Sequence, residues 1–293
     1  MRQSVRCVLL TTVFGLVCSP CTFAAEGEFQ HELSINLTAA SFGDVGKTIR
    51  ESVNYSYYFH SISSGDYPLN EAAFVAHDSR IFCGTGLAVT DNEYELRETS
   101  IGAGAEFESA SWPVGILISY ASYDSSYDYV GPYDFHSVTK TLFGRLAVYL
   151  APTAQITLSK LSGDTNTDSS WAADSNYERN AVGFRTLFAM GSRMFGVLNV
   201  GASKYSRDRG QNHFESKEHR EDFVWYPTRE LDLVVGAGGV TGNDVGSNDS
   251  NYRWLAVGWY VTPKLKLGAS LRSDTVDDGT VERSTSISAD LRF

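Results

Sequence analysis

The groups in this chain that could do chemistry fall at alternate positions. Glu32, Asn36, Arg80, Glu98, Arg145, Arg185, Asp232, Lys266, Arg272, Asp290 and Arg292 each sit one position out of step with a row of apolar neighbours. Successive side chains of an extended strand point to opposite faces, so these groups would share a face that the apolar rows avoid. If that face lines a water-filled passage, opposed acidic and basic walls filter polar solutes, and a ring of one sign biases ion preference. The alternative is that the charges pair and satisfy one another.

Other constellations are thinner. A serine hydrolase on the apolar face would need a serine beside a histidine; His31 and His136 fall on that face, with no serine motif near them. His213 and His219 with Glu218, Glu221 and Asp222 lie in one polar stretch and have the residue types of an acid–histidine hydrolase. No catalytic residue is assigned on these grounds, and the chain reads as a non-enzyme. The stretches GNDVGSNDSN and SDTVDDG offer hard oxygen ligands without the spacing of a calcium loop. No metal and no cofactor are expected.

One segment stands apart. In PLNEAAF, Pro68 suits a first helical position, and Glu71 with its alanines favours a turn or two of helix. The strands that follow carry Gly84, Gly86, Gly102 and Gly104 on the polar face, and a glycine inside a strand marks close backbone approach or a bend. Residues 68–76 are expected to fold inward as a constriction, with Pro68, Leu69, Asn70, Glu71 and Phe74 packing on that glycine strip. The alternative is an external turn, with the glycines relieving curvature.

The elements that must position these residues are strands. Period-two alternation dominates: Phe29, His31, Leu33, Ile35 and Leu37 oppose Gln30, Glu32, Ser34, Asn36 and Thr38. Val114, Ile116, Ile118 and Tyr120 oppose Gly115, Leu117 and Ser119 in the same way. The pattern gives about fourteen strands, with twelve or sixteen as the alternatives, near residues 28–40, 49–60, 79–90, 95–107, 113–123, 135–151, 154–162, 178–190, 194–206, 221–227, 229–239, 252–262, 264–273 and 281–293. Very short breaks (APTA, MGSRM, YPTR, VTPK) alternate with longer acidic ones such as SRDRGQNHFESKEHRED. That asymmetry, with an even strand count, reads as an all-β transmembrane antiparallel up-and-down barrel. Phe59, Phe107, Trp112, Phe188, Trp225, Tyr226, Trp259 and Phe293 gather near the short turns, as an interfacial girdle would.

Composition agrees. The 293 residues carry 24 basic and 35 acidic side chains, a formal charge of −11 that disfavours nucleic-acid binding. Residues 1–24 read as a cleaved signal peptide: Arg2 and Arg6 precede an apolar run too short to span a bilayer, and small residues follow. A lipoprotein signal at Cys18 or Cys21 is the alternative. Cys7, Cys18 and Cys21 would leave with the signal, so Cys83 alone would remain in a single domain of residues 25–293, without an internal disulfide.

Two stretches carry a resemblance. The row Ile287, Ala289, Leu291 and Phe293 is similar to the assembly signal of Gram-negative outer-membrane proteins, which implies recognition by the barrel-assembly machinery. The stretch YYFHSISSGDYPLNEAAFVAHDSRI (57–81) resembles the general bacterial porin family of gammaproteobacteria. The chain departs from that pattern after Phe74, at His77, Asp78 and Cys83. The resemblance implies a porin in the outer membrane, where passive transport admits ions and small hydrophilic solutes. Lipid and lipopolysaccharide would surround it. A homo-oligomer stays open, and so does the alternative of a non-channel adhesin or structural barrel.

Overall fold

A computed structural model describes residues 28–41, 46–63, 65–91, 95–109, 112–128, 135–168, 174–210, 212–242, 249–276 and 279–293. The expected signal peptide lies outside them. The strands are β1 (Glu28–Ser41), β2 (Lys47–Ser63), β3 (Arg80–Asp91), β4 (Glu95–Glu108), β5 (Val114–Asp128), β6 (Phe135–Ala151) and β7 (Ala154–Thr167). They continue as β8 (Ser175–Ala189), β9 (Phe195–Arg209), β10 (Asn212–Tyr226), β11 (Leu231–Gly242), β12 (Ser250–Thr262), β13 (Leu265–Val276) and β14 (Val281–Arg292). Each pairs antiparallel with its sequence neighbours, and β14 pairs with β1 to close the barrel.

Closure sets the register. Leu33 lies opposite Leu291, Ile35 opposite Ala289 and Leu37 opposite Ile287. The ladder runs to the last residue: the His31 amide donates to the Phe293 carbonyl (2.8 Å), and the Phe293 amide donates back to the His31 carbonyl (3.0 Å). Outside, the Phe293 ring stacks on the His31 imidazole, with centroids 5.1 Å apart and planes 6° from parallel. Ile35, Leu37, Ile81, Ile101, Ile116, Ile118, Leu142, Leu158, Val235, Leu255 and Ile287 all face outward and are exposed. Water does not support so continuous an apolar belt, whereas bilayer hydrocarbon does.

Three expectations need correction. The tenth strand is not confined to residues 221–227. The polar stretch taken as the longest loop is a hairpin, with β9 running to Arg209 and β10 starting at Asn212, and Gly210 takes the positive φ (+59°) of its turn. This strand alternates in charge pairs rather than in apolarity: Lys204 meets Glu215 at 2.6 Å on the outside, and Arg179 meets Glu218 on the inside. The supposed long loops at 122–134 and 162–176 also shrink, because β5 runs to Asp128, β7 to Thr167 and β8 starts at Ser175.

Tyr226 is the second correction. Its ring is 1% exposed and lies inside the barrel, whereas Phe59, Phe107, Trp112, Phe188, Trp225 and Trp259 do face outward. Phe29 is the third. The β1–β2 register shifts between Phe29, which pairs with Ile62, and His31, which pairs with Tyr57, so that β2 carries the extra residues, and Phe29 faces inward against Tyr58, Ile62 and Ala72.

The stack at the seam makes a test. Phe293→Ala keeps the backbone ladder and loses the ring, which should destabilise the barrel by about 1 kcal/mol. Semi-native electrophoresis after graded heating should show the folded band lost at a lower temperature.

Candidate functional site

Side-chain contacts fix which side is inside. Arg292 Nε donates to Glu32 at 2.7 Å, Arg80 Nε to Glu106 at 2.9 Å, and Arg145 donates to the other Glu106 oxygen. Lys266 lies 2.8 Å from Asp232, Arg272 pairs with Asp274 at 2.6 Å, and Arg185 pairs with Glu71. Alternation places the remaining candidates on the same side. Asn36 sits two steps of the pleat from Glu32, Asp290 lies one step from Arg292 and opposite Ser34, and Glu98 shares the parity of Glu106. The candidate lumen residues therefore occupy one face. They do not converge at one point: Glu32 with Arg292 and Arg80 with Glu106 pair between adjacent strands, Arg145 and Lys266 reach past a strand to Glu106 and Asp232, Arg272 pairs within β13, and Arg185 pairs with the inward segment. Sequence reasoning missed Glu106, Glu108, Asp222, Arg220, Tyr149 and Tyr226, although alternation within β4, β6 and β10 places all six on that face.

The connection from β2 to β3 enters the barrel. Leu69–Glu71 form a 3₁₀ turn and Ala72–Ala76 a short helix, α1. Pro68, Leu69, Glu71 and Ala72 are buried. Ala72 packs on Phe29, Tyr58 and Ile62 at one wall. Tyr67, Phe74 and Val75 pack on Leu187, Val197, Val224 and Tyr226 at another. Polar contacts hold the backbone between them. The Leu69 amide donates to the Arg229 carbonyl (3.0 Å), and Arg292 Nη1 donates to the Leu69 carbonyl (2.6 Å). Lys266 Nζ donates to Asn70 Oδ1 at 3.0 Å.

Glu71 is the anchor. Its side chain is 1% exposed, and a carboxylate so buried must have its oxygens occupied. Tyr226 donates its hydroxyl to Oε1 at 2.5 Å, and Arg185 takes Oε2. The Arg185 guanidinium lies 4.8 Å from the Phe74 ring centre, over its face. The helix stops at His77, which adopts left-handed φ/ψ of 49° and 45°. A non-glycine residue holds that conformation only when its surroundings fix it. Here Glu108 Oε2 lies 3.2 Å from Nδ1, the Pro152 carbonyl lies 3.0 Å from Nε2, and the Tyr149 ring packs edge-on at 4.1 Å.

The glycine strip is not the partner of this segment. A Cβ at Gly84 would meet Asn54, at Gly86 Ser100, at Gly102 Ala121, and at Gly104 Phe82 and Ser119. All are wall residues on neighbouring strands, so the glycines make room for the wall's own side chains. Residues 68–76 pack instead on β1 and β2 and across to the β8–β11 wall. Beside the segment is a chamber of about 470 Å³ of mixed lining, with Asn70, Glu71, Arg145, Arg185 and Arg220 alongside Val224 and Val234.

The hydrolase constellations do not assemble. His31 is occupied by Phe293 and by the Tyr55 hydroxyl, 2.7 Å from Nδ1. His136 faces outward against Asp124 at 2.8 Å. Along β10, Glu218 and Asp222 point inward to Arg179 and Asn199, while His213 points outward to Asp208 at 2.6 Å. His213 lies at the hairpin tip beyond the apolar belt, where hydrogen bonds to Asp208 and then Glu215 raise its pKa. Among the described residues no group of three His, Cys, Asp or Glu side chains could hold a metal ion.

No protein-family model matches the chain, and no curated protein matches it. Solved structures do. Outer membrane protein Omp33 of Acinetobacter baumannii aligns over 91% of this chain and 99% of its own, at 17% identity and a TM-score of 0.51. The CymD monoaromatic hydrocarbon channel aligns over 95% and 92%, at 10% identity and 0.60. A bacterial polysaccharide outer membrane secretin aligns over 90% and 98%, at 10% identity and 0.53. At such identities the shared property is the fold, a closed antiparallel barrel of the outer-membrane type.

Glu71→Ala tests the anchor. It leaves Arg185 and Tyr226 without their carboxylate and should loosen the segment by about 1–3 kcal/mol. Hydrogen–deuterium exchange should quicken within 68–76 while the strands keep their protection. Unchanged exchange there would mean that the apolar contacts of Leu69 and Ala72 suffice.

Proposed function

We propose that this protein is a porin of the Gram-negative outer membrane, a passive channel for ions and small hydrophilic solutes. The observation that carries the reading is the chamber of about 470 Å³, bordered by charged and polar side chains as well as by Val224 and Val234, inside a closed barrel whose outer surface is apolar. A barrel that served only to hold its strands together could fill its interior with side chains. This one keeps open space beside an inward segment. Solutes would pass between α1 and the charged wall, sorted by size and charge, with no energy coupling. The resemblance of residues 57–81 to the general bacterial porin family supports the same reading. So does the row ending at Phe293, which fits recognition by the barrel-assembly machinery after export on a signal peptide of residues 1–24. Lipid and lipopolysaccharide are then the partners of the outer face, and residues 68–76 are the constriction.

The β9–β10 hairpin, charged out to its tip, favours a second reading as a non-channel surface protein that makes contacts through its strand extensions.

Refolded protein in a planar bilayer separates the two. The channel reading expects stepwise conductance; a folded barrel with no conductance and no liposome swelling would defeat it. Deleting residues 69–75 leaves every strand and its ladder in place. It should raise single-channel conductance, and an unchanged value in a folded variant would reject the constriction.

A further inference from the structure

The solutes favoured by this channel, if the channel reading holds, can be read from which charges the lumen leaves accessible. Arg145, Arg185 and Arg220 all border the chamber beside residues 68–76. Each has a carboxylate partner, so counting charges gives near balance. Burial breaks the balance. The Arg220 side chain is 59% exposed and that of Asp222 8%; for Arg145 and Glu106 the values are 31% and 10%, and for Arg185 and Glu71 29% and 1%.

The carboxylates are also committed. Glu71 accepts from Tyr226, Asp222 accepts from Asn199 Nδ2 at 2.6 Å, and Glu106 accepts from Arg80 as well as Arg145. A guanidinium, by contrast, has five N–H donors and no acceptor. Arg220 donates to its partner through Nε alone, and Arg145 through Nη2 alone. Aromatic faces hold two of the planes in place, Phe74 for Arg185 at 4.8 Å and Trp254 for Arg220 at 4.5 Å. The same asymmetry continues beyond the chamber, at Arg272 over Asp274 (46% and 19%) and Arg179 over Glu218 (47% and 28%). Arg292 inverts it: that side chain is more buried than Glu32 and is bound to the Leu69 carbonyl.

We infer that the chamber binds and selects small oxyanions, carboxylate- or phosphate-bearing, which pass along the accessible guanidiniums of Arg220 and Arg145, with Arg185 beside them. The channel therefore favours anions, although the chain carries a formal charge of −11. The buried partners matter to the mechanism. Each guanidinium is already partly neutralised, so an anion is attracted but not held, which conduction requires. A cation in the chamber meets wall carboxylates that are already taken.

The test uses the full refolded barrel in a planar bilayer under a potassium chloride gradient. The reversal potential should have the sign of chloride preference, and millimolar inorganic phosphate or succinate should reduce the chloride current. Block by phosphate alone assigns the site to phosphate-bearing solutes, and block by succinate alone to carboxylates. Arg145→Gln combined with Arg220→Gln leaves Glu106 with Arg80 and Asp222 with Asn199, so no carboxylate is stranded. This variant should shift the reversal potential toward potassium preference and lose the block. Arg220→Gln alone should give part of the shift if the double variant fails to fold. A conducting barrel that prefers potassium, or that neither anion blocks, or a folded variant with an unchanged reversal potential, overturns the inference and leaves the channel standing. A folded barrel that conducts nothing removes both.

Discussion

Everything in this structure follows from where backbone amides and carbonyls can find partners. Hydrocarbon offers none, so a chain that crosses it as strands must pair every strand on both sides, and a sheet with no edge is a barrel. That requirement reaches the last residue, where Phe293 exchanges amide hydrogen bonds with His31. It also dictates the inversion of the faces. Once lipid solvates the outside, the polar rows turn inward, and the protein has to satisfy a crowd of charges within one enclosure.

The wall solves that problem locally, by cross-strand ion pairs, and the inward segment solves it at long range. Glu71 lies 155 residues from Tyr226 and 114 from Arg185, and Asn70 lies 196 from Lys266. These contacts hold in place a segment that makes few backbone bonds of its own. They also make the enclosure asymmetric. Carboxylates withdraw into the wall where hydroxyls, amides and arginines can reach both oxygens, and the broader guanidiniums are left at the surface.

Much of this was legible in the chain. Alternation is a property of adjacent residues, so most strands, their number to within two, and the inward row from Glu32 to Arg292 could be read from it. What was not legible depends on neighbours distant in sequence or on local shifts of register. The shift at Phe29 reverses a face without changing composition. The start of β10 is hidden because its alternation is written in charges. Tyr226 looked like a girdle residue until a carboxylate from another part of the chain was placed beside it. The glycines of β3 and β4 signalled close approach correctly in kind but not in partner, since a missing Cβ does not say what fills its space.

The inward segment is tied at both ends to adjacent strands of the same rim, β2 at Ser63 and β3 at Arg80. Pulling it out of the lumen does not detach it. The chain between those strands keeps it within a short reach of its own binding surface, so its return is intramolecular and indifferent to protein concentration. A segment built this way is leashed: once displaced, it is not carried off by dilution.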